Sequence, residues 1–488
     1  MSFAARRIAT SQMLFWFFIW SSVGIVIALA WILSAPVARA LLVAAALGAA
    51  AMVEWTYEKV VVFLLVILSA IGLPNKVFAI QLANGDNLFG IRDVLMAAVI
   101  VLGFIKGKAH LRETAREALL RPGLWTLALV PLAVVSGLLN GGRPIMVARE
   151  MIALSTGWLL AWSVAANIRD WRTIKRLLDL SLVLGLGVAL GAAIEIASGN
   201  TVRIVSQFQQ ILFGGVPRNW PEGFIFMFCA GSLAAAGLIT DARTWKNACI
   251  ALAISFAFLL TQARGYFLSY VAAVYMVLAI ARLAGSKWVK TRALVPLTVL
   301  ALIAVGAGIY TVSRLAGGEF VGPAIERYQQ LAEDSADRIY ELQMVSAAMS
   351  EHPLLGTGLG VAYREIESTG EDDIFHHADT LVHNILAYYL LKFGPLGLFL
   401  FVLFSARVVT STYRLLKCGE RGMETRYLLA TYLFLFYCLI EAQAGNIFGD
   451  IRQMPIVSVV LGLSVSLRRL QQPAPAGRQW NVPSPQMG

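Results

Sequence analysis

Apolar runs long enough to cross a bilayer recur from one end of the chain to the other, and polar connectors of a few residues separate nearly all of them. The runs are continuous rather than alternating, which predicts helices and not barrel strands. Candidate spans fall at about 12–33, 37–55, 59–73, 92–105, 124–139, 145–165, 177–197, 223–240, 247–262, 266–281, 293–312, 381–404, 428–444 and 454–467. Several are shorter than the roughly 20 residues a straight crossing needs, so the expected number is 12 to 14. The stretch 74–91 is mixed in polarity and reads as re-entrant or interfacial. Only one connector is long. From Ser313 to Asp379 the chain is hydrophilic, and a sizeable loop on such a scaffold is where function tends to sit.

The expected architecture is therefore all-α: a polytopic transmembrane bundle with one large helical outer loop. Its parts are an N-terminal membrane domain over 1–312, the loop over 313–380, C-terminal membrane helices over 381–470, and a Pro- and Gln-containing disordered tail over 471–488. Within the loop, Ile325 to Glu333 reads as helical. Ser335 is a plausible N-cap for a second helix with Asp337 in its first turn. Ile339, Leu342, Val345 and Met349 form an apolar stripe, expected to pack on the membrane domain, and His352-Pro353 ends that helix.

Composition agrees. Of 488 residues 58% are hydrophobic and 14% charged, against about 25% charged in a soluble domain. The net charge of +11 could suggest nucleic acid, but the basic residues cluster in the short connectors, as the positive-inside rule requires. The clusters Lys106 to Arg121, Arg169 to Arg176, Arg282 to Arg292, Arg407 to Arg426 and Arg468-Arg469 fall on one side with Arg6-Arg7. That side is expected to be cytoplasmic, so both termini face inward and 313–379, 198–222, 262–265 and 445–453 face outward. Arg6-Arg7 and the apolar run after Met13 read as a retained first span rather than a signal peptide. The four cysteines lie in or near spans, without disulfide or zinc spacing.

Chemistry is expected where charge breaks this pattern. Arg203, Arg218, Arg264 and Arg338 map to the outer side, against the rule. Arg264 sits in Thr261-Gln262-Ala263-Arg264-Gly265-Tyr266, a tight junction between two spans. Its partner is either an acid of the outer loop, which holds thirteen Asp and Glu against four Arg, or an anionic ligand. Guanidinium binds phosphate oxygens bidentately and stays charged at any working pH, so several such arginines would suit a pyrophosphate on a lipid carrier. Arg39, Arg92 and Arg143 lie near span ends, where snorkelling suffices. His383 opens the span after the loop. It is either an interfacial residue or a proton-transfer group, the role imidazole fits best near neutral pH. His376, His377 and Asp379 fit no metal-site spacing, and no metal or cofactor is expected.

Four ordered pieces resemble a known family. Arg338-Ile339-Tyr340, His352-Pro353-Leu354-Leu355-Gly356-Thr357-Gly358-Leu359-Gly360, His383-Asn384-Ile385-Leu386 and Lys392-Phe393-Gly394-Pro395-Leu396-Gly397 resemble the core of the bacterial O-antigen ligase and polymerase superfamily. Arg264-Gly265 looks like that family's earlier arginine. The resemblance covers about 220–410 well and the first 200 residues by topology alone. It implies a lipid-carrier glycosyltransferase of the C-type membrane architecture in the bacterial inner membrane, working at the periplasmic face without metal. The implied donor is a glycan on undecaprenyl pyrophosphate. The acceptor is a lipid A-core sugar in ligases or another lipid-linked repeat unit in polymerases. Membrane lipids and other polysaccharide-assembly proteins are the further partners it allows. The implied roles are Arg264 and Arg218 on pyrophosphate, Arg338 as a third contact or loop anchor, His383 as general base or phosphate donor, Asn384 orienting it, and an inverting displacement. Arg218-Asn219-Trp220-Pro221 holds only part of the family's turn at that point, so Arg203 competes with Arg218.

The other class this composition admits is a transporter or lipid flippase, for which Glu150, Glu195 and Glu441 would be the intramembrane acids. No internal repeat supports it. Gly445 to Ile451, with Asp450 before the final span, leans the reading towards polymerase over ligase.

Overall fold

A computed structural model describes residues 56–69, 80–81, 87–89, 91–197, 206–211, 217–221, 223–240, 244–260, 264–289, 331–363, 382–445, 447–448 and 453–471. The expected spans 12–33, 37–55 and 293–312, the helix over Ile325 to Glu333 for all but its last residues, and the tail lie outside this set. So do Arg203, His376, His377 and Asp379.

The described elements run α1 (Tyr57–Leu68), β1 (Ile80–Gln81), β2 (Asn87–Phe89), α2 (Ile91–Lys106), α3 (Leu111–Ala115), α4 (Arg121–Leu139), α5 (Pro144–Asn167), α6 (Trp171–Ala197), β3 (Ser206–Ile211), β4 (Pro217–Pro221), α7 (Phe224–Ile239), α8 (Thr244–Leu260), α9 (Arg264–Leu283), α10 (Leu331–Glu351), α11 (Ile385–Cys418), α12 (Met423–Gly445) and α13 (Met454–Leu470). Six of them, α4, α5, α6, α9, α11 and α12, are long and apolar enough to cross a membrane, and α2, α7 and α8 hold shorter apolar segments. The protein is a polytopic helical membrane protein. Its interior is apolar around the whole circumference of α7 and α13, whose residues are almost all buried. Small residues allow close approach. A Cβ on Gly185 of α6 would meet the Phe226 carbonyl of α7 at 2.2 Å, so glycine lets these two helices touch backbone to side.

Three details depart from the pattern. The mixed segment 74–91 contains an antiparallel pair, β1 with β2, Ile80 opposite Phe89. A second hairpin, β3 with β4, places Arg218 opposite Gln210. The loop helix α10 starts at Leu331, so Ser335 lies inside it rather than capping it. Leu331, Ala332 and Glu333 are good helix formers, and acids in a first turn suit the dipole, so the helix begins a turn earlier. Its inward face is also rotated. Glu341 and Val345 are buried while Ile339 and Leu342 are exposed. The end of α10 at Glu351, before Pro353, is as expected.

The basic clusters gather at one end of the bundle. There Arg169 pairs with Glu113 at 3.1 Å, Arg469 with Glu117 at 2.9 Å, Arg468 donates to Ser411 and Arg421 to the Thr240 carbonyl. The candidate site lies at the other end.

Candidate functional site

The glycines of His352 to Gly360 form a wedge, not a phosphate cradle. At 34 residues α11 would run about 51 Å, well beyond a hydrocarbon core of about 30 Å, but it is broken at Gly394 (φ 67°, ψ −165°). Pro395 has no N–H, so the Leu391 carbonyl loses its helical partner. Thr357 supplies the replacement: its N–H donates to Leu391 O at 2.7 Å and its hydroxyl at 3.2 Å. On the other side of the wedge, the Leu359 N–H donates to the Ala133 carbonyl at 3.0 Å, and Asn140 donates to the Thr357 carbonyl at 3.0 Å. Gly358 has φ +85°, and a Cβ there would meet the Gly137 nitrogen at 2.1 Å. Two pieces of the motif noted above, residues 352–360 and 392–397, thus interlock against α4.

A third and a fourth piece meet beside the wedge. The buried carboxylate of Glu341 on α10 is the hub. Its Oε1 accepts the His383 backbone N–H at 2.8 Å, the His383 ring through Nδ1 at 3.1 Å and the Tyr363 hydroxyl at 2.9 Å. Arg338, one helical turn earlier, approaches Oε2 at 3.5 Å. Burial alone would raise the Glu341 carboxyl, but the hydrogen bonds from the His383 ring and backbone and from Tyr363 outweigh it. They hold it down at about 2. At neutral pH Glu341 is therefore ionised and can only accept. Nδ1 of His383 therefore carries a proton towards Glu341, and in the neutral form of the ring the lone pair lies on Nε2. The His383 side chain is 39% exposed, so a reactant can reach it.

The remaining expected residues are placed by their elements. Arg264 is the first residue of α9, and Arg218 lies mid-strand in β4. Asn384 caps α11: its Oδ1 accepts from the N–H groups of Leu386 and Ala387, at 3.0 and 3.1 Å, and its amide donates to Gln443. This is helix-end work. The last turn of α12 ties the site together. Gln443 holds Asn384, and two residues earlier Glu441 accepts the Ser269 hydroxyl of α9 at 2.7 Å and lies against Gly265. The first residue of α7, Phe224, stacks on Tyr266 of α9 with ring centroids 4.2 Å apart. The starts of α7, α9 and α11 therefore share one end of the bundle, with β4 leading into α7. Three helix N-termini there favour negative charge.

Glu341 and Tyr363 were not foreseen. A signal was present for the first, because Glu341 continues the 345–349 phase of the buried face at four-residue spacing. None was present for Tyr363, which reaches Glu341 from 22 residues away. Among the described residues no group of three His, Cys, Asp or Glu could hold a metal ion.

Fold and site together define a multi-pass membrane protein with a histidine–carboxylate pair at one end of its helices. Residues 249–402 match the family model for O-antigen ligase, which supports membership of the O-antigen ligase and polymerase superfamily. The matched segment contains Arg264, Arg338, Glu341 and His383, and leaves Arg203 and Arg218 outside it. No curated protein matches the chain.

Proposed function

We propose that this protein is an inverting membrane glycosyltransferase that moves a glycan from polyprenyl pyrophosphate to a sugar hydroxyl at the outer face of the bacterial inner membrane. The observation that carries this reading is the His383–Glu341 pair, held through Nδ1, at the end of the bundle where α9 begins with Arg264. In the reaction the acceptor oxygen bonds to the anomeric carbon and its proton passes to Nε2 of His383. The bond from the anomeric carbon to phosphate breaks, and its electron pair leaves on the pyrophosphate. Glu341 keeps the ring oriented and stabilises the imidazolium. Arg264 and Arg218 meet the charge on the leaving group, with Arg203 as the competitor for the second position, and this supply of fixed positive charge is why the step is expected to need no divalent ion. Arg338, paired with Glu341, anchors the loop helix and is the third candidate contact.

Two of the three intramembrane acids, Glu150 and Glu441, are engaged in structural contacts, which weighs against the transporter or flippase reading. Glu441 accepts from Ser269, and Glu150 accepts the Gly360 N–H and pairs with Lys392. Both carboxylates are spent on holding structure.

The test is glycan transfer by purified protein in detergent micelles, where translocation has no meaning. His383→Ala and Arg264→Ala are expected to lower the rate by a factor of about 100 or more while still inserting and purifying as folded protein. A wild-type rate from either variant overturns its assigned role, and loss of activity with EDTA that a divalent ion restores overturns metal independence. A lipid-linked repeat unit and a lipid A-core sugar, offered as acceptors in parallel, separate polymerase from ligase.

A further inference from the structure

A second ionic pair lies deeper, beyond the groups that would touch substrate. Lys392 is wholly buried in α11. Its ammonium sits 3.3 Å from Oε1 of Glu150 on α5 and donates to the Val361 carbonyl at 3.2 Å. The other oxygen of Glu150 accepts the Gly360 N–H at 2.9 Å. The pair therefore grips the N–H of one wedge residue and the carbonyl of the next from two different helices. Gly360 is in the left-handed region with φ +70°, where a side chain would strike the backbone of Val147. The chain leaves that grip towards Tyr363, two residues on, and the Tyr363 hydroxyl binds the same Glu341 oxygen that holds His383.

An ammonium and a carboxylate inside a membrane protein are costly to bury, and their mutual attraction often does no more than offset that cost. Such a pair needs a use other than stability. Here its hydrogen bonds have direction: they fix the height and rotation of 360–361, and through them the position of Tyr363.

We propose that the Lys392–Glu150 pair is a positioning device for the base, acting through Gly360, Val361, Tyr363 and Glu341 to hold the His383 ring in one orientation. This rests on His383 being the base, and the test separates the two claims. Lys392→Met/Glu150→Leu removes both charges together, so neither ion is left unpaired, and it releases the Gly360 N–H and the Val361 carbonyl from their side-chain partners. It is expected to fold with a Tm lowered by the loss of those two hydrogen bonds, to lose about 10- to 100-fold in kcat, and to keep the KM for the lipid-linked donor. Backbone hydrogen exchange over 356–363 is expected to speed up. Adding the double change to Tyr363→Phe is expected to cost nothing further, because both act on one chain of contacts. If the double variant does not accumulate, Lys392→Gln, whose shorter side chain releases the Val361 carbonyl, is read in the same way. Full kcat in the folded variant, or losses that multiply with that of Tyr363→Phe, overturns the positioning role alone. Activity in His383→Ala overturns the functional reading and this role with it.

Discussion

Glu341→Gln is the sharpest perturbation the site allows, because it changes the hub by one atom and keeps its shape. Three donors converge on one carboxylate oxygen. Together they take the carboxyl from its ordinary 4.5 to about 2, a preference for the ionised form of about 3 kcal/mol. Arg338 is 45% exposed and the His383 ring 39% exposed, so water screens part of this, and about 2 kcal/mol is the fairer figure. An amide can still accept from the His383 backbone and from Tyr363. It can also turn its NH2 towards Nδ1, which would move the ring proton to Nε2 and remove the base. Loss of the ring's fixed orientation is expected to cost about 10-fold or more in kcat, and the wrong tautomer adds to it. Initial rates of glycan transfer at pH 7, normalised to folded protein, are the assay. A rate within about threefold of wild type would refute the argument that Glu341 holds the base. The same pair makes a stability prediction with a definite sign. The folded carboxyl is depressed, so its contribution is complete above 4.5 and is lost as pH falls from there through about 2. The Tm gap between wild type and Glu341→Gln is expected to be widest above about pH 5 and to close towards pH 2.

Three further changes test the frame around the site. Asn384→Ala removes the acceptor for two N–H groups at the start of α11 and is expected to cost about 1 kcal/mol in thermal or denaturant unfolding. Gly358→Ala puts a methyl 2.1 Å from the Gly137 nitrogen on a backbone at φ +85°. It is expected to cost about 2 kcal/mol or more and to lower the yield of folded protein in detergent. Thr357→Val keeps the backbone donor to Leu391 and removes the hydroxyl one, for an expected loss of about 1 kcal/mol. A fully stable Gly358→Ala would show that the wedge does not pack on α4 as described.

The membrane helices were legible because their signal is local. Apolar runs bounded by Pro144 and Asn167, or by Pro455 and Arg468, mark their own ends, and α5 and α13 fall within three residues of expectation. His383 and Arg264 were legible for a similar reason: each is a polar group at the mouth of an apolar run, and the structure puts both at the start of a helix or one residue before its cap. What joins elements was not legible. Glu341 meets His383 across 42 residues, Thr357 meets Leu391 across 34, and Glu150 meets Gly360 across 210. No periodicity encodes such pairings. The glycine-rich run illustrates the limit. Its spacing is as compatible with cradling a phosphate as with close backbone packing, and only the carbonyl stranded by Pro395 shows which use it has.

The role of the acids follows from where they sit. Glu441 lies against the first turn of α9, Glu341 at the entry to α11, and Glu150 against the wedge between them. Each accepts from a backbone or hydroxyl donor that would otherwise be orphaned at a helix end or in a left-handed turn. A buried carboxylate can do this at acceptable cost only because helix N-termini and Lys392 or Arg338 are close by to offset its charge. Arg264 opens α9 at the same end, which is where the proposed reading needs positive charge for a pyrophosphate leaving group. On this argument the main contribution of the 313–379 loop to the proposed chemistry is Glu341, supported by Arg338 and Tyr363, and it contributes by holding a histidine still.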